Sequence, residues 1–306
     1  MNPNVLLLCL AVLLCGSAGA MIAYADMPPV LLAAMRLLGA TALLAIPARI
    51  QYRRAQRNRE TPLVLRDFRV CIFPAVMLAL HFIGWNLSLD YTEVANASLL
   101  VNTMPIAMPF LLWVLYREKL NLGEISGTGL TLIGLGIIAA NDFDTDIKLF
   151  KGDMLALGAM ITLTLYVGLA RKSKHLPGIW LYLVPLYAIA GGICLLVSLA
   201  LESWAGAFTA RNLWITLYLI VVPTLIGHSL INHLMKVMRG QIVSLANLGQ
   251  FIIGGFMAWL LSNQIPTSSF YIASPLVVLG AAVAIWFTPR EDRTDDALAK
   301  ALPEEA

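Results

Sequence analysis

The chain has 306 residues, 59% of them hydrophobic and 13% charged, with a mean hydropathy of +0.78. The layers of a soluble domain cannot hide that much apolar surface, so the composition excludes a soluble globular protein and points to an all-α integral membrane protein with many spans. The net charge of +3 is no nucleic-acid signature, because the basic residues sort by loop instead of gathering in one patch, and no nucleic-acid partner is expected.

A spanning helix needs about 20 mostly apolar residues, because the hydrocarbon core is about 30 Å thick and a helix rises about 1.5 Å per residue. Ten such runs fit, at 5–23, 30–48, 70–89, 95–116, 124–140, 152–170, 178–200, 213–235, 241–262 and 269–288. They are continuously apolar and lack the alternation of a transmembrane barrel. With ten spans, alternate loops carry 17 and three Lys or Arg, and the one left over is Arg36, inside the second span. The positive-inside rule then places the rich side and both termini in the cytoplasm, as expected of a multi-pass protein in the lipid bilayer of the cell (inner) membrane.

The first span contains Gly16-Ser17-Ala18-Gly19-Ala20. Small residues at that density let a neighbouring backbone approach closely or leave room for a cavity. In the second span, Arg36 costs between about 3 and more than 10 kcal/mol unless it meets water or a partner. Two readings stand, an arginine held by packing and carbonyls or a contact to a solute carboxylate. The arginine-rich linker 51–69 reads as a topology determinant in contact with headgroups. The third span holds His81, Trp85 and Asn86; His81 and Trp85 lie four apart on one face, as a packing seam or a cavity wall.

The fourth span carries Asn102, Thr103, Met104-Pro105 and Pro109. Two prolines four residues apart break the backbone ladder at mid-depth, where freed carbonyls are tolerated only against protein or a wet cavity. Asn102 and Pro105 are therefore cavity-wall candidates. Gly127, Gly129, Gly134 and Gly136 in the fifth span imply a close helix pair. The acidic loop with Asp142, Asp144 and Asp146 lacks the central glycine and closing glutamate of a calcium loop and reads as an external linker.

Later spans contribute Tyr166, then His228 and Asn232 on one helix face, then Asn247 and Gln250 near mid-depth. Polar side chains at that depth must find partners or water, so they are expected to point inward. Cys9, Cys15, Cys71 and Cys194 lie in apolar runs without ligand spacing and read as packing residues. No HExxH, GxSxG or Asp-rich motif is present, so no catalytic residue, metal or cofactor is expected.

Sliding the chain by 146 residues places Ser98, Phe110, Trp113, Gly134 and Asn86 on Ser244, Phe256, Trp259, Gly280 and Asn232. A fixed offset that aligns two tryptophans points to a duplication. The expected division is 1–146 (spans 1–5) and 147–290 (spans 6–10), followed by a polar cytoplasmic tail, 291–306.

The small-residue first span, Arg36, the run from Val94 through Pro105 to Arg117-Glu118-Lys119 and Gly134, and Gly152-Asp153 opening the second half together resemble the EamA-type permeases of the drug/metabolite transporter superfamily. The resemblance implies ten transmembrane helices as two inverted five-helix repeats, a cavity lined mainly by spans 1, 3, 4, 6, 8 and 9, and alternating access. It also implies a small-molecule solute as partner and a monomer or homodimer in the membrane. The chain departs from the family in the ninth span, where Gln250-Phe251 stand in place of a frequent Glu-Pro and Asn263-Gln264 in place of Gly-Glu. Both carboxylates are lost, and with them the proton coupling they would carry.

The function expected is a secondary transporter, exporting a small amphipathic metabolite such as an amino acid or derivative. Its cavity candidates are Ser17, Arg36, His81, Trp85, Asn86, Asn102, Pro105, Tyr166, His228, Asn232, Asn247 and Gln250. The alternative is an uptake carrier for a vitamin or nucleotide-like cofactor, and the remaining class an intramembrane lipid-modifying enzyme.

Overall fold

A computed structural model of the protein describes residues 3–58, 63–92, 94–118, 120–142, 147–263 and 268–287. The tail 291–306 and Asp144 and Asp146 of the acidic linker lie outside them. The α-helices are α1 (Pro3–Gly16), α2 (Ala18–Tyr24), α3 (Pro29–Asn58), α4 (Ile72–Ser88), α5 (Val94–Val101), α6 (Met104–Tyr116) and α7 (Leu122–Asp142). They continue with α8 (Ile147–Leu169), α9 (Ile179–Leu201), α10 (Ala210–Leu219), α11 (Ser229–Val237), α12 (Gly240–Asn247), α13 (Gln250–Ser262) and α14 (Ser268–Trp286). A π-helical segment, Ile220–His228, joins α10 to α11. Among the described residues there is no strand.

Eight stretches of the described residues are long and apolar enough to cross a membrane: 3–24, 29–57, 65–88, 97–116, 150–173, 179–201, 210–237 and 240–261. The other two expected runs fall on α7 and on α14, whose apolar core is the shorter Tyr271–Ala284.

Several spans that read as one run in the sequence are interrupted. The first divides at Ser17, whose Oγ donates to the carbonyl of Leu14 at 2.8 Å, a back-bond that opens and bends a helix. The fourth divides at Asn102-Thr103, just before Pro105 in the first turn of α6, where a missing N–H costs least. The ninth divides at Leu248-Gly249 with no proline to force it. In the eighth, Pro223 has no N–H to give the Leu219 carbonyl, and the Thr224 hydroxyl donates to that carbonyl instead, at 2.6 Å.

The 146-residue offset reappears in these bounds. α5 and α12 each have 8 residues, α6 and α13 each have 13, and the paired first residues are Val94 and Gly240, then Met104 and Gln250. The residues that close α6 and α13, Arg117 and Asn263, both take left-handed backbone angles, with φ of 55° and 53°.

Packing joins earlier helices of the chain to later ones. α3 lies along α9, α4 along α8, α1 against the π-helical segment and α7 along α14. The last pair needs its glycines, since a Cβ on Gly127 would stand 2.4 Å from the carbonyl oxygen of Gly280. At one end of the bundle the Glu202 carboxylate accepts from the free N–H groups of Val30 and Leu31 at the start of α3, both at 2.8 Å. It serves orphan donors there and complements the positive end of the helix dipole.

Candidate functional site

The helix interruptions converge on one buried cavity. Gly16 permits this, because a Cβ there would lie 2.7 Å from Cβ of Ile253 and 3.0 Å from the carbonyl oxygen of Gln250. The break in the first span thus rests directly on the break in the ninth. The cavity is lined by Cys15, Ala18, His81, Trp85, Val101, Asn102, Leu163, Val167, His228, Ile231, Asn247 and Gln250. These side chains come from α1, α2, α4, α5 and its end, α8, the π-helical segment and α11 to α13, and so from both halves.

Of the candidates read from the sequence, His81, Trp85, Asn102, His228, Asn247 and Gln250 stand on this lining. Trp85 stacks on His81 with ring centroids 5.9 Å apart and planes 15° from parallel. His81 is oriented from behind, its Nδ1 3.0 Å from the carbonyl oxygen of Ala159. The Gln250 amide donates to the Asn247 Oδ1 at 3.0 Å, across the break. Asn102 Nδ2 donates to the Ser98 carbonyl at 2.7 Å, one turn back in α5. The buried indole Nε1 of Trp85 has no partner among the described residues.

The other candidates lie behind or beside the lining. Ser17 accepts from the Tyr218 hydroxyl at 2.8 Å, tying α1 and α2 to α10. Asn86 donates to the Pro29 carbonyl at 2.8 Å, and the Pro105 carbonyl faces Gln241. Asn232 donates to the Tyr166 hydroxyl and, at 2.7 Å, to the His228 carbonyl, so Tyr166 and Asn232 hold the histidine that reaches the cavity. Of the apolar lining, Ala18 belongs to the small-residue run of the first span, whereas Cys15, Val101, Leu163, Val167 and Ile231 gave no signal in the sequence. An apolar side chain reads alike whether it meets a cavity, a neighbouring helix or lipid.

Arg36 is fully buried. Its Nε donates to the Thr224 hydroxyl at 3.1 Å and its guanidinium lies 4.5 Å over the Phe82 ring. Both terminal nitrogens lack a partner among the described residues. Phe82 also faces His228, with ring centroids 5.8 Å apart, so a single aromatic ring separates the arginine from a cavity-lining residue. A central arginine costs about 3 kcal/mol or more without compensation, and one hydroxyl with one ring face compensates it only in part.

The cavity has a volume of about 40 Å³. That is room for a few waters and far below the roughly 300–1,000 Å³ of a small-molecule site, so the space as it stands is too small for a metabolite. A larger groove of about 970 Å³ runs along α13 and α14 past Phe256, Trp259, Tyr271 and Val278. Its lining is almost wholly apolar, which suits lipid tails and offers little to select a solute.

One end of the bundle is held by charge. Arg171 pairs with Glu118, and its remaining N–H groups donate to the carbonyls of Met235 at 2.7 Å and Met238 at 2.6 Å. Arg239 grips both oxygens of the fully buried Glu124, at 2.6 and 2.8 Å. Glu124 also forms a reciprocal capping box with Asn121 at the start of α7.

The EamA-like transporter family matches residues 2–140. Over those residues the chain is similar to a family of the drug/metabolite transporter superfamily. Members of the EamA-like family are transporters. The fold has solved relatives, 29 chains in number. One, titled only as the crystal structure of a protein, is 17% identical, with a TM-score of 0.74 over 95% of this chain and 99% of its own. At that identity the likeness concerns the fold alone. No curated protein matches the sequence.

Proposed function

We propose that this EamA-like protein is a secondary transporter that exports a small amphipathic metabolite, such as an amino acid or derivative, by alternating access. The observation that carries the reading is the cavity where broken helices from both halves meet. Its amides and imidazoles sit at mid-depth among apolar walls, the composition of a site for a neutral or zwitterionic solute. The chain is then two EamA-type halves, 1–146 and 147–290, with five spans each. An odd number of spans per half inverts the second copy, and the shared lengths of α5 and α12 and of α6 and α13 support that division.

Under the positive-inside rule the end held by Arg171 and Arg239 is cytoplasmic, as are both termini. The protein sits in the inner membrane and acts as a transporter without enzymatic chemistry.

The test is flux of amino acids and their derivatives in proteoliposomes. Trp85→Ala and Asn102→Ala should each lower saturable flux by about tenfold, the equivalent of about 1.4 kcal/mol of binding, while the amount of folded protein stays near wild type. Parallel loss of folded protein and flux would make both residues packing groups. Saturable flux confined to nucleotide-like or vitamin solutes would replace the exporter reading.

A further inference from the structure

We propose that Arg36 and Thr224 form an anion subsite that takes the carboxylate of the transported solute once the Phe82 ring swings aside. The proposal rests on the transporter reading above and names the charged end of its substrate. Three observations carry it. Among the described residues both terminal nitrogens of the fully buried Arg36 lack a partner, and Nε is engaged by the Thr224 hydroxyl. The described ion pairs all involve Arg171 or Arg239 and leave Arg36 without a carboxylate. The cover over the guanidinium is Phe82, which touches His81 and His228 of the cavity lining on its other contacts.

A guanidinium presents its terminal N–H groups as a planar fork that fits two carboxylate oxygens. Here that fork is desolvated and positioned next to a cavity whose lining amides and rings suit the remainder of an amphipathic molecule. The location on a π-helical segment is consistent with such a role, since these segments recur at functional sites. Thr224 is presented to Arg36 because Pro223 disrupts the ladder there.

The experiment is a thermal-shift panel on detergent-purified full-length protein. The probes are the common amino acids, their carboxamides, benzoate and acetate, with sodium chloride and sodium gluconate as salt controls. The expected result is stabilisation by one or more carboxylates, at least tenfold weaker binding by the matching carboxamide, and loss of the shift in Arg36→Gln with partial retention in Arg36→Lys. Phe82→Leu, which thins the cover and leaves the charge in place, should strengthen carboxylate binding and serves if Arg36→Gln does not fold. Equal binding of acid and carboxamide, or an acid shift unchanged in both Arg36→Gln and Phe82→Leu, overturns the subsite and leaves the transporter reading intact. Stabilisation by chloride as strong as by any carboxylate overturns the carboxylate assignment. Silence from every carboxylate also overturns it, and the flux assay then decides the transporter reading separately.

Discussion

Thr224 joins three groups that would each be costly alone. Its hydroxyl donates to the Leu219 carbonyl and accepts from Arg36, and its own carbonyl accepts from the Tyr187 hydroxyl at 3.4 Å. Each buried polar group left without a partner costs about 1–3 kcal/mol. Thr224→Val keeps the shape and strands the buried Arg36 Nε, so it should lower the apparent unfolding temperature. Thr224→Ser keeps the hydroxyl and should stay close to wild type. A valine variant as stable as serine would show that water replaces the hydroxyl. Arg36 was legible from its charge in an apolar run, and Asn102, Asn247 and Gln250 from their amides at mid-depth. Thr224 was not, since a threonine in an apolar span is ordinary and only the proline beside it hints that its hydroxyl has work beyond its own turn.

Helices show the same division. The break before Pro105 was readable because proline removes an N–H. The break at Leu248-Gly249 carries no proline, and only the repeat offset hints at it. The π-helical segment had Pro223 as its sole mark, and proline alone does not distinguish a kink from a widened turn. The glycines of the fifth span were readable as a close pair but not individually. A Cβ on Gly127 meets the Gly280 carbonyl oxygen and Ala284, whereas one on Gly129 meets nothing within 4 Å. Gly127→Ala should therefore separate α7 from α14 and cost about 1–3 kcal/mol by overpacking. Gly129→Ala should be neutral or stabilising by about 0.5–1 kcal/mol, because alanine favours the helix. Unfolding midpoints of the two variants, read side by side, check this, and equal loss in both would mean that helix propensity and not the α7–α14 contact sets the response.

For the molecule as a whole, the charge network and the small cavity belong together. Glu118 and Glu124 flank the start of α7, and Arg171 and Arg239 follow α8 and α11, so the pairs tie early and late helices together at one end of the bundle. Glu124 is fully buried and its only described counter-charge within 3 Å is Arg239. Removing one partner of a buried pair leaves an uncompensated charge and costs about 3–5 kcal/mol. On the proposed alternating-access reading, that cost in Arg239→Ala falls on the closed arrangement, because opening would let water reach Glu124. If about 1.4 kcal/mol of it acts on the closing equilibrium, the open population rises about tenfold. Cys15 reports this directly, since it lines the cavity and is buried in the closed form. With Cys9, Cys71 and Cys194 replaced by serine or alanine, a membrane-impermeant thiol reagent added from the Arg239 side should label Cys15 about tenfold faster in Arg239→Ala than in the parent. Labelling from the other side should not increase. An unchanged rate from the Arg239 side would mean that the pairs only brace the fold, and an equal increase from both sides would mean that the variant loosens the bundle without opening one end.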